Sequence, residues 1–197
     1  MTLSIQPDYA FNVSAAGEFQ GNLSPDALMT YLSTRLGGLD EQINGIFNRQ
    51  LAQQKVQSAV NKIHEEVAKL NESAVGVVDM PGHDPKDPGS SEIEININRR
   101  IDELGQLDPK LAQTIRDELV KPGQILWVQD GKYLGSEVVG TKSFLDGISK
   151  NLESGAQMDM IRLQSLMSSR QTAIQLSTNL VASLGESTKA IVTNIGR

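Results

Sequence analysis

Two histidines, one tryptophan, several adjacent carboxylates and a Gly-Lys pair are the side chains with most chemistry to offer. Cysteine is absent, which removes thiol nucleophiles, thiolate metal sites and disulfides together and leaves the redox compartment unreadable. His64 stands among Lys62, Glu65 and Glu66 on the polar side of a helical pattern and is expected to be solvated. His83 lies beside Asp84 and Asp87, three possible ligands within five residues. They lack regular ligand spacing, so no metal is expected. With two histidines and no G-x-S-x-G elbow, a Ser-His-acid triad has no support. Gly131-Lys132 is followed by Tyr133 and fits no phosphate loop, and no glycine set has the dinucleotide-binding form. Asp102-Glu103 and Asp117-Glu118 read as solvated helix charges. Trp127 is expected to anchor a small hairpin to a helix in preference to serving as a ligand platform. The reading is of a protein that is not an enzyme and needs no cofactor or metal.

The elements are marked by caps and periodicity. Residues 1–23 show no period and are expected to form a flexible tail. Ser24-Pro25-Asp26 is a helix start: a hydroxyl to accept an orphan N–H, a proline where its missing N–H is harmless, and an acid at the positive end of the dipole. Apolar residues then recur at three- and four-residue steps through Leu28, Leu32, Leu36, Leu39, Ile43 and Ile46, and again through Val56, Val60, Ile63, Val67 and Leu70. Gln50, Gln53 and Gln54 interrupt the seam, and Gly37-Gly38 marks a place for a bend or short break. A continuous helix over 25–71 would be about 70 Å long, and it needs a long partner.

Met80 to Ser90 carries three prolines and two glycines and reads as an exposed, mobile loop. Ser91 with Glu94 has the capping-box form and opens a helix through Ile93, Ile97, Ile101 and Leu104. Asp108-Pro109 opens another through Leu111, Ile115 and Leu119, closed by Pro122-Gly123. Ile125–Val128 and Tyr133–Val139 flank Asp130-Gly131 and read as a two-residue β-hairpin over 124–139. Thr141 is expected to cap a last helix in which Gly147 and Gly155 are soft points.

That last helix carries the clearest pattern in the chain. From Met160, steps of three and four pass through Leu163, Met167, Arg170, Ile174, Ser177, Val181, Leu184, Thr188, Ile191 and Ile195, eleven positions of which eight are apolar and none acidic. This is a coiled-coil-grade seam, widened by Leu166, Ala173, Leu176 and Leu180. The stripe runs to the end of the sequence and would stay exposed in a lone two-helix hairpin, so an intermolecular partner is inferred.

The expected fold is mainly α: two long terminal helices forming an antiparallel coiled-coil hairpin with a small α+β insertion. Its parts are a tail (1–23), an N-terminal coiled-coil helix (24–72), a variable middle module (73–140) and a C-terminal coiled-coil helix (141–197). Eight aromatics in 197 residues are few for a thick α/β core. The net charge of −6, with no basic run longer than Arg99-Arg100, gives no electrostatic footprint for nucleic acid. The N-terminus lacks the basic and apolar regions of a cleaved signal peptide.

The stretch Gly155–Arg170, with Ser187–Arg197, resembles the C-terminal helix of type III secretion needle-tip and translocator filament proteins, the EspA/SseB-like group. The likeness covers the last 45 residues or so, and over the rest it lies only in the layout. The resemblance implies a secreted structural subunit, exported by an uncleaved signal, that polymerises into an extracellular filament or tip at the bacterial surface and conducts translocators and effectors towards host cells. Its implied partners are itself, the secretion needle, the translocator pore proteins and a dedicated cytoplasmic chaperone. Carried over, Met160, Leu163, Met167, Ile174, Val181, Leu184, Ile191 and Ile195 form the self-assembly interface. Leu28, Leu32, Leu39, Ile43, Ile46, Val56, Val60, Ile63, Val67 and Leu70 are the intramolecular partner, and the Pro-rich loop and hairpin face outward. The alternative reading is an intracellular helical secretion chaperone or adaptor that binds a partner helix with the same stripe.

Overall fold

The computed structural model describes residues 24–195 apart from 85, 87 and 88, so the expected N-terminal tail lies outside the described residues. The chain is mainly helical, with a small two-stranded antiparallel sheet, and its two long helices pack together. In order the elements are α1 (Pro25–Ala68), β1 (Val78–Asp79), α2 (Glu92–Gly105), α3 (Pro109–Leu119), β2 (Lys132–Tyr133) and α4 (Gly135–Ile195). They fall into two compact units, one of residues 41–167 and the other containing 24–40 and 168–195.

Local chemistry accounts for where most helices start. The Ser24 hydroxyl accepts the Ala27 N–H at 3.2 Å. Asp108 accepts the Leu111 N–H at 2.9 Å, with Pro109 in the first helical turn of α3. Ser91 and Glu94 form a reciprocal capping box, each side chain accepting the other's backbone N–H. The short break offered at Gly37-Gly38 does not occur, and the soft points Gly147 and Gly155 do not interrupt α4. Gly37, Gly38, Gly45, Gly147 and Gly155 all lie inside continuous α-helix. A glycine costs roughly 1 kcal/mol relative to alanine, less than a break that orphans four N–H and four C=O groups.

The 41–167 unit holds the main core. Val60, Ile63 and Val67 of α1, Ile97, Ile101 and Leu104 of α2, Ile115 and Leu119 of α3, Leu126, and Val138 and Leu145 of α4 are all fully buried in one cluster. At the usual scale of 1.5–3 kcal/mol per fully buried aliphatic side chain, this cluster is the principal source of that unit's stability.

The expected hairpin over 124–139 is not formed. β2 pairs instead with β1, Val78 opposite Tyr133 and Asp79 opposite Lys132. Ile125–Val128 forms turns, with Leu126 N–H donating to Leu119 C=O and Trp127 N–H to Gln124 C=O. Ile125 and Leu126 are buried side by side, which a strand alternating between two faces would forbid. Residues 135–139 are helical, because Glu137 accepts the Leu134 N–H at 2.9 Å and so caps α4 six residues before Thr141. Val138, Thr141 and Leu145 then share one buried helical face. Thr141 is no cap: its hydroxyl donates to Gln124 Oε1 and accepts the Ile125 N–H. Asp130-Gly131 does reverse the chain, with Gly131 at φ +74°.

Met80 to Ser90 is less free than its composition implies. Met80 is buried and donates its N–H to Gly131 C=O at 2.8 Å. His83 is half-buried, and its ring lies so close over Gly131 that a Cβ there would clash with it. Glu94 joins these parts. Wholly buried, it accepts N–H groups from Ser91 at 2.6 Å and Gly131 at 3.1 Å, tying the start of α2 to the 129–133 segment.

Burial pushes the Glu94 carboxyl above its ordinary value of 4.5, against the hydrogen bonds from Ser91 and Gly131 and with the help of the Asp130 charge. The folded chain therefore binds this proton more tightly than the unfolded one. The resulting stabilisation is complete below about pH 4.5 and is lost as pH rises through the raised value. Glu94→Gln should remove that slope, so urea unfolding should show wild type losing stability relative to the variant as pH rises from about 4.5 towards neutrality. A difference that stays constant with pH, or runs the other way, contradicts this assignment.

Candidate assembly surface

Helix α4 carries the seam, and its two ends are covered differently. In the 41–167 unit, Val138, Leu145 and Leu163 are buried and Phe144, Ile148 and Leu152 are half-buried. In the other unit the sole buried hydrophobic residue from α4 is Ala173, facing a stretch of α1 in which Leu32 and Leu39 are buried. Leu180 and Leu184 are half-buried there, as are Leu28 and Leu36 of α1.

Of the seam residues, Leu163 is 7% exposed and Leu184 half-buried, whereas Met160, Met167, Ile174, Val181, Ile191 and Ile195 are all exposed, from 40% at Ile174 to 80% at Ile195. The division follows helical geometry. Met160 and Met167 in the 41–167 unit, and Ile174 and Val181 in the other, are each seven residues apart, a spacing that returns to nearly the same side of a helix with a drift of about 20° per repeat. The covered line runs beside it through Leu163, Leu166, Ala173, Ser177, Leu180 and Leu184. The seam thus splits into a covered row and an open row. Ile161, Leu176 and Val192 are exposed as well.

The residues expected to partner this helix are all at least half-buried. Leu32, Leu39, Ile46, Val56, Val60, Ile63 and Val67 are buried, as is Leu70 just beyond it, and Leu28 and Ile43 are half-buried. Ion pairs join the two long helices or their flanks within each unit. In the 41–167 unit Arg49 meets Asp159 at 3.1 Å, His64 meets Asp146 at 3.3 Å and Lys142 meets Glu72 at 3.1 Å. In the other unit Arg170 meets Asp40. Asp159 is buried, so its charge requires the Arg49 partner. These pairs were not anticipated from sequence. Their signal is opposite charges at mirrored positions of two long helices, found only by testing registers.

The remaining chemical candidates are dispersed. His64 is not simply solvated, since its Nε2 reaches Asp146. His83 sits over Gly131 with Nε2 buried and without a hydrogen-bond partner. No group of three or more possible metal ligands occurs among the described residues. Asp102 pairs with Arg116, Glu103 with Arg100 and Glu118 with Lys121, and Asp117 accepts from Gln113. Trp127 is 53% exposed and does not anchor a hairpin: Ile125 and Leu126 are buried in its place. Among the described residues no helix is long and apolar enough to cross a membrane.

No protein-family model, curated protein or solved structure matches the chain.

Val181→Ser and Ile191→Ser remove apolar area that is already in water, so each should change the stability of dilute protein by no more than about 0.5 kcal/mol. Leu163→Ala empties a covered position and should cost about 2–3 kcal/mol. Urea unfolding at low concentration checks both. Serine variants as costly as Leu163→Ala would mean that the open row is covered within the monomer.

Proposed function

We propose that the chain is a self-assembling structural subunit, and that it forms an extracellular filament or tip on a type III secretion needle. The observation that carries this reading is the apolar surface left exposed on α4 within 168–195, at Ile174 and Val181 and at Ile191, Val192 and Ile195. An apolar surface of this extent is a protein-contact surface in a water-soluble chain. The resemblance of Gly155–Arg170 and Ser187–Arg197 to the C-terminal helix of the EspA/SseB-like group supports the choice of assembly. Its implied partners are further copies of the chain, the needle, the translocator pore proteins and a dedicated cytoplasmic chaperone.

The finer architecture proposed is an antiparallel coiled-coil hairpin. The ion pairs of the 41–167 unit support it, because rising positions along α1, Arg49 and His64, meet falling positions along α4, Asp159 and Asp146. Counted on from Asp40 and Arg170, Pro25 falls opposite about residue 185. Glu186–Ile195 then has no α1 residue opposite it among the described residues, and that is where Ile191, Val192 and Ile195 lie bare. A second copy that lays its own helices along this end and along the open row would bury both, and the contact would repeat from copy to copy. Such a conduit acts through shape and surface and requires no catalytic group.

Negative-stain electron microscopy over a concentration series tests this directly. Wild type should form filaments of uniform width above a threshold concentration, and Ile191→Asp should form none while keeping wild-type helical content by circular dichroism. A discrete oligomer at every concentration would overturn the filament reading in favour of a tip cap or an adaptor.

A further inference from the structure

Within the 41–167 unit, covered positions of the two long helices recur every seven residues, a spacing that returns to nearly the same side of a helix. On α1 they are Ile46, Gln53, Val60 and Val67. On α4 they are Val138, Leu145, Leu152, Asp159 and Leu166, and all of these are buried or half-buried. Each line is apolar except at one place, Gln53 on α1 and Asp159 on α4. The two exceptions fall at the same level. Asp159 accepts from Arg49 at 3.1 Å, one helical turn before Gln53. Gly155, one turn before Asp159, lies against Gln53, since a methyl group on it would come 3.2 Å from Gln53 Nε2.

This polar layer is a poor source of stability. Asp159 is 7% exposed, and its charged partner Arg49 keeps 53% of its side chain in water. One end of the Gln53 amide is buried without a hydrogen-bond partner, which costs free energy. Apolar side chains in place of a buried ion pair often leave a protein as stable as before or more so, whereas a buried charge that loses its partner is strongly destabilising. The layer therefore separates arrangements instead of strengthening one. Wholly apolar lines of seven-residue period accept many partners: one another after a slide of one heptad, about 10 Å, or the same helix of another copy. With the layer present, a slide takes the Asp159 carboxylate away from Arg49. Two α4 helices laid in register and in the same direction would bring two Asp159 carboxylates together.

We propose that Arg49, Gln53 and Asp159 form a pairing code that holds the covered line of α4 to α1 in one register and keeps that line from the helices of other copies. This inference rests on the antiparallel pairing proposed above and is independent of the filament reading.

Gln53→Leu/Asp159→Leu makes both lines wholly apolar, and because both positions are covered it adds no exposed apolar surface. The chain has no cysteine, so Asp40→Cys/Arg170→Cys, which replaces an exposed ion pair of the other unit, supplies the sole thiols for a short bis-maleimide linker. The reaction is run below the concentration at which wild type self-associates in sedimentation velocity. With the layer intact, the link should form within single chains and the protein should sediment as one species. With the leucine substitutions the urea midpoint should be no lower, yet at the same concentration most of the within-chain link should be lost to links between chains and several species should sediment. Arg49→Asp/Asp159→Arg, which rebuilds the ion pair in reverse, should restore the single species. The proposal is overturned if the leucine variant keeps the within-chain link and one species, if it unfolds at lower urea, which would make the layer a source of stability, or if the reversed pair is as heterogeneous as the leucine variant. Absence of the within-chain link with the layer intact would overturn the antiparallel pairing itself, and this proposal with it.

Discussion

A long amphipathic helix has to keep its apolar stripe out of water, and how much covering surface it finds governs most of this structure. In the 41–167 unit, α1 and α4 have α2, α3, the small sheet and the Ile125–Leu126 turn to pack against, and the core there is fully closed. The unit of 24–40 and 168–195 has only two helical stretches among its described residues. A pair of helices can cover only the row of each that faces the other. Among the described residues of that unit nothing else reaches the second row of α4, and Ile174 and Val181 stay open.

The polar groups of the larger unit are arranged around the same need. Glu94 gives up solvation to hold Ser91 and Gly131, and Gly131 in turn receives Met80. That chain of contacts fastens the ends of the Pro-rich loop and lets β1 find β2 across it. Tyr133, buried beside this junction, accepts the Asn71 N–H through its hydroxyl and secures the turn that follows α1. These are local contacts between segments distant in sequence, and they position α2 and α3 as the cover for the long helices.

Much of this was legible in the sequence where one residue type performs one local task. Ser24-Pro25, Ser91 with Glu94, and Asp108-Pro109 each satisfy orphan N–H groups within a single turn, so their helix starts could be read without knowing the fold. The region 124–139 could not. Asp130-Gly131 was rightly a reversal, but its strand partner is Val78-Asp79, and no local signal announces a pairing across a Pro-rich loop. Glu137 was the available clue that the next segment is helical, and it was masked by the β-branched Val138-Val139. The glycines misled for a related reason, because their cost is intrinsic while the compensation comes from the rest of a long helix.

The seam was legible as a stripe but not as two rows. Which row is covered depends on the register between α1 and α4, and that register is marked by charges such as Asp40 with Arg170 and Arg49 with Asp159. The central claim is that the terminal stretch of α4 acquires its missing cover from other copies. Hydrogen–deuterium exchange of amides in residues 168–195, followed in dilute and in concentrated protein, tests it most directly. A helix with little buried surface is only marginally stable, so these amides should exchange rapidly when dilute and become protected as concentration rises, while the core helices stay protected throughout. Equal protection of 168–195 at both concentrations would contradict the account, because the helix would then hold its shape with no partner at all.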